Sequence, residues 1–383
     1  MRKFMKDFTN RFTRKQLWLG LVAGVSLMLV IILQIVSFNL KNPLKSQQMA
    51  QRWDDTGKSA QVSCFISENT QVTVNQLVNF EHAIDAALLE ASLTTDNENA
   101  RLWADAYSAR GELTVESEKT SITATAIGVG GDFFLFHPLQ LENGSYFTDD
   151  DLMQDYVILD EDAAWQLFGS NDVAGMQVTI KGIPHYVKGV IKRGSGRMND
   201  KAGNDETTVY VSYNSLSSYG TCKGINAYEI VMPNPITGFA LKTVKEKIGI
   251  DETNIELVEN SNRFSLLTVG TVLLDFGTRS MNQKDIIYPY WENIARGYED
   301  VLALILLWKS IFLIIPIVIG MSYLIYRYKY RSWNAKTIVN AIVSLKERVI
   351  LKPTNTKSYH KFLVNFIENI KAKSKITHTK RKK

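Results

Sequence analysis

Two stretches of the chain are apolar without interruption, and the long segment between them alternates between apolar and polar positions. Leu17–Phe38 reads LWLGLVAGVSLMLVIILQIVSF and contains no charged residue. Val301–Tyr326 reads VLALILLWKSIFLIIPIVIGMSYLIY and contains one, Lys309. A hydrocarbon core of about 30 Å is crossed by roughly 20 helical residues. Backbone groups in lipid must be paired within their own segment, so both runs are predicted as membrane-spanning helices. The first run is longer than the usual apolar core of a signal peptide, about 7–15 residues. No small-x-small cleavage site follows in SFNLKNPLKSQQ, so the run is expected to stay as an anchor.

Shorter periods fill the centre. Lys41–Lys58 is polar and reads as a loop or an extension of the first helix. Gln61–Ser67 has strand character and carries Cys64. In Thr73–Ala91, Leu77, Phe80, Ile84, Leu88 and Ala91 step by three or four residues, which predicts an amphipathic helix. Thr73 and Gln76 fit a capping box at its start. Leu113–Ile127 reads as a strand pair ended by Gly128, Gly130 and Gly131. Tyr156–Leu159 is a short strand, and Asp160–Phe168 a short helix with acids where the helix dipole favours them. Met176–Ile180 and His185–Ile191 alternate around Lys181–Pro184, the pattern of a hairpin. Gly194–Glu206 is a polar, glycine-rich loop. Strands are expected over Thr208–Ser212, Tyr228–Met232 and Asn254–Glu259, with a helix over Ile236–Ile248. Ser265–Phe276 is apolar but too short to span, so it is either a buried helix or a segment lying near the membrane. The aromatics of Ile286–Asp300 suit a membrane interface. The fold class that emerges is an α+β extracellular domain of two subdomains, with strand–helix–strand flanks and a β-rich insertion, between two transmembrane α-helices.

Charge orients this layout. Residues 1–16 hold six Lys/Arg against one acid, and residues 327–383 hold sixteen against two, while the whole chain is only +5. The centre is therefore acidic and both ends are basic. Lys/Arg near helix ends stay on the cytoplasmic side. The expected order is a cytoplasmic basic N-terminus (1–16), a first transmembrane helix (17–38), an extracellular or periplasmic domain (39–300), a second transmembrane helix (301–326) and a basic cytoplasmic tail (327–383), in the plasma membrane. Trp18 at one rim and Tyr323, Tyr326, Tyr328 and Tyr330 at the other agree with aromatic belts. The tail, ending Lys380-Arg381-Lys382-Lys383, is expected to meet anionic lipid rather than nucleic acid.

Candidate chemistry is sparse. No G-x-x-x-x-G-K-[ST] phosphate loop occurs, so any ATPase activity would come from a partner. Asp149, Asp150, Asp151 and Asp155 lack the spacing of a calcium loop and read as a solvated turn. His82, His137 and His185 form no zinc pattern, and Ser195 in Gly194-Ser195-Gly196 lacks the nucleophile elbow. No catalytic, cofactor-binding or metal-binding residue is assigned, and the chain is not read as an enzyme. Cys64 and Cys222 form a possible disulfide, which an oxidising compartment permits and sequence cannot decide. Lys309 either snorkels or makes an intramembrane contact. Pro316 is expected to kink its helix and free a carbonyl. Asn143-Gly144-Ser145 is a glycosylation sequon or simply a turn.

The middle of the chain resembles the periplasmic core domain of MacB- and FtsX-type ABC-transporter permeases. The residues that carry the resemblance are Phe133-Phe134, Leu141 to Phe147 (LENGSYF), Ala164 to Gly169 (AWQLFG), Gly175 to Gly182 (GMQVTIKG) and Val187 to Val190 (VKGV). It implies a permease-like or accessory subunit whose outer domain binds substrate or partner and couples to a separate ABC-type ATPase, with no cofactor. Family members carry four membrane helices where two are found here, which implies a shortened member and further membrane subunits as partners. Thr337–Leu351, the first of two amphipathic stretches in the tail, sits where the family's ATPase-docking segment would be. The alternative is a membrane-anchored binding, assembly or signalling module without transport, like the FtsX-type regulators of cell-wall enzymes.

Overall fold

The computed structural model describes residues 13–95, 100–148, 151, 153–279 and 284–330. In chain order it begins with helix α1 (Arg14–Lys41), strand β1 (Ser59–Ile66), helix α2 (Val74–Glu90) and the long strands β2 (Ala104–Glu116) and β3 (Ser121–Gly131). There follow β4 (Leu141–Gly144), β5 (Tyr156–Asp160), helix α3 (Glu161–Phe168), β6 (Gln177–Ile180), β7 (Ile183–Ile191), β8 (Thr208–Ser212) and helix α4 (Tyr213–Tyr219). The chain then passes through β9 (Thr221–Cys222), β10 (Ala227–Pro233), helix α5 (Phe239–Lys247), β11 (Ile255–Glu259), helix α6 (Leu266–Leu274) and helix α7 (Tyr290–Lys329). Both α1 and α7 are long and apolar enough to cross a membrane.

All eleven strands join one sheet, ordered β11-β1-β10-β2-β3-β8-β5-β7-β4, with β6 on β7 and β9 on β2. The flanks of the chain build its first part. The four strands β11-β1-β10-β2 run antiparallel throughout, and β1-α2-β2 and β10-α5-β11 are two strand–helix–strand units interleaved in the split β-α-β manner. Helix α2 forms where its stripe predicts, and Thr73 and Gln76 close the capping box. Its Leu77, Phe80, Ile84 and Leu88 pack with Ala240 and Val244 of α5 onto Val62, Cys64, Ile66, Tyr228, Ile230 and Met232 of the sheet. The stripe ends one turn early, since Ala91 is the exposed C-cap.

The insertion builds the second part. Here β3–β8 and β5–β7 pair in parallel and β5–β8 antiparallel. Ala163, Ala164 and Leu167 of α3 pack on Val157, Leu159, Val209 and Val211. Asp160 caps α3, accepting from the Ala163 amide at 2.7 Å, and also accepts from the Thr208 amide at 2.8 Å. One carboxylate thus fixes where a helix starts and where β8 enters the sheet.

The structure differs from the sequence reading at several places. Strand β2 begins at Ala104 rather than Leu113, because its residues 104–108 pair with β10 and 106–116 with β3, and Ala104, Ala106 and Ala109 are buried in that ladder. The glycines at 128, 130 and 131 do not end the strand pair; β3 runs through to Gly131. A Cβ at Gly130 would lie 2.1 Å from the ring of Tyr107 opposite, and one at Gly128 would lie 2.8 Å from Leu216. These glycines make room for neighbouring side chains within the strand. The hairpin after β6 turns on Lys181-Gly182 alone, both at positive φ (49° and 80°), so Ile183 and Pro184 belong to β7. Within Gly194–Glu206 lies a turn of helix, Arg197–Lys201.

Asp105, buried on β2, has its carboxyl pushed up to about 7 by burial and by the charges of Glu81 and Asp132. A raised acid binds more protons folded than unfolded, so its favourable contribution is present at low pH and lost as pH rises through about 7. Asp105→Asn is expected to stabilise the protein by about 1–3 kcal/mol at pH 8 and to change little at pH 4, as read by urea unfolding in detergent at the two pH values.

Candidate functional site

Helix α7 is 40 residues long, and only its later part is the apolar run. At about 1.5 Å per residue it extends for about 60 Å, twice the hydrocarbon thickness of a bilayer. Its first turns are built into the outer domain: Trp291, Glu292, Ala295 and Glu299 are all buried. The residues they meet come from both parts of the sheet. From the insertion, the Tyr210 hydroxyl on β8 pairs with that of Tyr290 at 3.0 Å, and the Asn293 amide donates to the Ala202 carbonyl at 3.3 Å. From the flanks comes an arginine.

Arg263 is 2% exposed and caps the 3-10 turn Asn260–Asn262 that follows β11. Its Nη1 and Nη2 donate to Glu292 Oε2 and Oε1 at 2.6 and 2.7 Å, a bidentate pair. Its Nε donates to Glu299, whose other oxygen accepts from Arg279. Each carboxylate oxygen of Glu292 and Glu299 therefore has a guanidinium donor. Burial alone would pull the Arg263 guanidinium down, but Glu292 and Glu299 overcome it and hold the group above its ordinary value. Arg279 Nε also lies 3.3 Å from Asp300 Oδ1.

The network continues into the sheet. Arg263 Nη1 donates to Asn260 Oδ1 at 3.1 Å, and Asn260 Nδ2 to Ser63 Oγ at 2.7 Å. Ser63 Oγ donates in turn to Glu229, whose second oxygen pairs with His137 Nε2. The His137 ring lies 4.4 Å from that of Trp291 on α7. A buried polar chain thus runs from α7 through β1 and β10 and back to α7. Beside it, a small cleft opens between β2, β3 and the start of α7, with Arg110, Thr125, Asn226 and Tyr290 in its lining.

The C-terminal end of α1 and the start of the apolar run of α7 are tied to the same region. Lys41 Nζ, on the last residue of α1, donates to the Phe264 carbonyl at 2.8 Å. Lys309 on α7 donates to Gln34 Oε1 on α1 at 2.9 Å. In the separate unit that holds residues 13–30 and 311–330, Ser26 Oγ donates to the Phe312 carbonyl at 2.5 Å. That carbonyl is the one Pro316 leaves without its i+4 amide donor, so a serine of the neighbouring helix replaces the missing bond.

The other sequence candidates fall elsewhere. Cys64 and Cys222 are free thiols. Cys64 is buried in β1 opposite Tyr228, and Cys222 in β9 is half-buried opposite Gly111. His185 is buried with Nε2 3.4 Å from Ser215 Oγ. Asp151 accepts from the Thr148 amide, while Asp149 and Asp150 lie outside the described residues. Gly144 of the sequon sits at φ +79° and ends β4. Thr337–Leu351 and the tail from residue 331 also lie outside the described residues. Among the described residues no group of His, Cys, Asp or Glu could hold a metal ion. Sequence reasoning passed over Arg263, Glu292 and Glu299. Their signal was there: Glu292, Ala295, Glu299 and Leu302 step by three or four ahead of the apolar run, a buried stripe with carboxylates in it.

The described residues form an α+β sheet domain between two helices long and apolar enough to cross a membrane. The chain belongs to the family of the MacB-like periplasmic core domain, whose model matches residues 19–248, and is a membrane protein of the MacB/FtsX permease class. It is 26% identical over 107 residues to the macrolide export ATP-binding/permease protein MacB of Chromobacterium violaceum, covering 27% of this chain and 16% of that protein. To the protein of the same name from Neisseria gonorrhoeae it is 33% identical over 82 residues, covering 21% and 13%. The match thus spans less than a fifth of these relatives' length. Among solved structures it is similar to the periplasmic region of MacB from Actinobacillus actinomycetemcomitans (15% identity, 58% of this chain and 94% of that one, TM-score 0.37). It is also similar to the extracellular domain of the noncanonic ABC-type transporter YknZ from Gram-positive bacteria (19% identity, 52% and 99%, TM-score 0.32).

Arg263→Met leaves two buried carboxylates without their main donor and is expected to destabilise the protein by about 3–5 kcal/mol. Adding Glu292→Leu and Glu299→Leu removes the unpaired charges and is expected to restore most of that loss, measured by thermal unfolding in detergent.

Proposed function

We propose that this chain is a permease-like or accessory membrane subunit of an ABC transporter. Its outer domain binds a substrate or a partner protein and is coupled to a separate ATPase through the membrane. The supporting observation is that α7 runs without a break from the Arg263 clamp into the apolar run. The clamp sets the register at which α7 leaves the sheet domain, because it leaves the helix no other position that pairs its carboxylates. The cleft beside Tyr290 is where a ligand would meet that helix.

In this reading residues 17–38 and 301–326 cross the plasma membrane, residues 39–300 lie outside, and both termini are cytoplasmic. The basic ends of the sequence support this orientation. Further membrane subunits complete the translocating unit, Thr337–Leu351 meets the ATPase, and the basic tail meets anionic lipid.

Gentle detergent extraction of the tagged chain from its native membrane, followed by mass spectrometry, tests the coupling. An ABC-type ATPase recovered in stoichiometric amount is the expected result. Recovery of only extracellular or cell-wall proteins would replace transport with an anchored assembly or signalling role.

The two thiols test the orientation. Burial, and then the charge of Glu229, push the Cys64 thiol up, and the thiolate is the reactive form. A membrane-impermeant maleimide applied to right-side-out vesicles is expected to label Cys222 and spare Cys64, with both labelled after denaturation. Labelling of Cys222 only after the vesicles are opened would place the sheet domain on the cytoplasmic side.

A further inference from the structure

Helix α6 is apolar around most of its circumference, yet only one side is covered. Val269 and Val272 are buried against Leu302 and Ala303 of α7, with Leu40 of α1 and Leu306 packed alongside. On the opposite side Leu266, Leu267 and Leu274 are 73%, 85% and 84% exposed, and Phe276 just beyond is exposed as well. At about 100° per residue these three leucines share one sector of the helix with Gly270. Other exposed apolar side chains of the sheet domain, such as Trp165 and Ile236, stand apart in sequence and on different elements, as is ordinary for a protein surface.

The partners of α6 set its height. Leu302 and Leu306 belong to the first turns of the apolar run that opens at Val301, and Leu40 lies just past the end of the other run. A helix packed on these residues is level with the outer boundary of the hydrocarbon. Lys41 lies there too, its Nζ 5.8 Å from the ring of Phe264 and bonded to that residue's carbonyl, as suits a cation at headgroup level. Nearby Ile35 and Phe38 of α1 and Leu304 and Leu307 of α7 are also exposed. The uncovered face of α6 therefore belongs to a helix packed on the ends of the two apolar runs, where the exposed side chains of α1 and α7 are themselves apolar.

We propose that α6 lies in the plane of the outer leaflet with Leu266, Leu267 and Leu274 among the acyl chains, which fixes the tilt of the sheet domain on the membrane. Acyl chains are the occupant because the face joins surfaces that lipid already covers if residues 17–38 and 301–326 span the bilayer, and the proposal rests on that reading.

The test uses the full chain with Leu267→Cys or Leu274→Cys in a Cys222→Ser background. Each variant is nitroxide-labelled and reconstituted in phosphatidylethanolamine–phosphatidylglycerol liposomes. Both leucines are exposed, so their replacement removes little packing. Electron paramagnetic resonance is expected to show collision with oxygen and shielding from a nickel chelate, at a depth of about 5–10 Å. A label at Ile314→Cys, in the middle of the apolar run, reports the spanning itself. A lipid signal there with nickel access at both α6 sites overturns the α6 proposal alone, whereas nickel access at Ile314 overturns the spanning reading. Shielding of the α6 labels from both reagents means that a protein covers the face, and that also overturns the proposal.

Discussion

Glu292 and Glu299 sit on one face of a helix that packs inside a protein, and a carboxylate that stays ionised in such a place needs a counter-charge. Arg263 supplies it with a planar fork that matches one carboxylate in both donors and reaches the second through Nε. Everything about how α7 enters the outer domain follows from this geometry. A rotation of α7 by one residue would move both acids off the guanidinium, and a slide along its axis would leave one of them unpaired. Such a pair is weak evidence for stability, since hydrophobic replacements of the same size often do as well. What it does specify is position: only one placement of α7 pairs both carboxylates with the guanidinium.

The rest of the junction has the same character. The face of the sheet that α7 covers is not purely apolar: Gln61, Ser63, Glu229, His137 and Asn260 are all buried there and bonded to one another or to the backbone. Each partner satisfies the next, so the chain holds only when all are in place. The opposite face, under α2 and α5, is mainly apolar, with the Asp105 carboxyl buried in it. One sheet thus carries a stabilising side and a positioning side. The membrane helices repeat the pattern, with Lys309 bonded to Gln34 and, in the other unit, Ser26 serving the carbonyl that Pro316 releases.

Much of this was legible before the structure. Helix α2 with its capping box, the α3 start at Asp160, the hairpin of β6 and β7 and the two apolar helices all follow local rules of spacing and capping, and they stand where those rules place them. The errors share a cause. Gly128 and Gly130 look like breaks because, taken alone, glycine weakens a strand, but Tyr107 and Leu216 fill the space each one leaves. Ala104 and Ala106 fall before the strand read from Leu113, but pairing with β10 draws them into it. Nothing local singles out Arg263, and only the fold brings it to acids 29 and 36 residues further on.

The sequence by itself determined the elements, the family and the two long apolar helices, because periodicity, capping and turn chemistry act over a few residues. The tertiary structure alone decided which strands neighbour which, that Cys64 and Cys222 stand apart as free thiols, which side of α6 is left uncovered, and that one arginine clamps the second membrane helix. These depend on contacts between residues far apart in the chain. Chain folding sets those distances, and no local pattern records them.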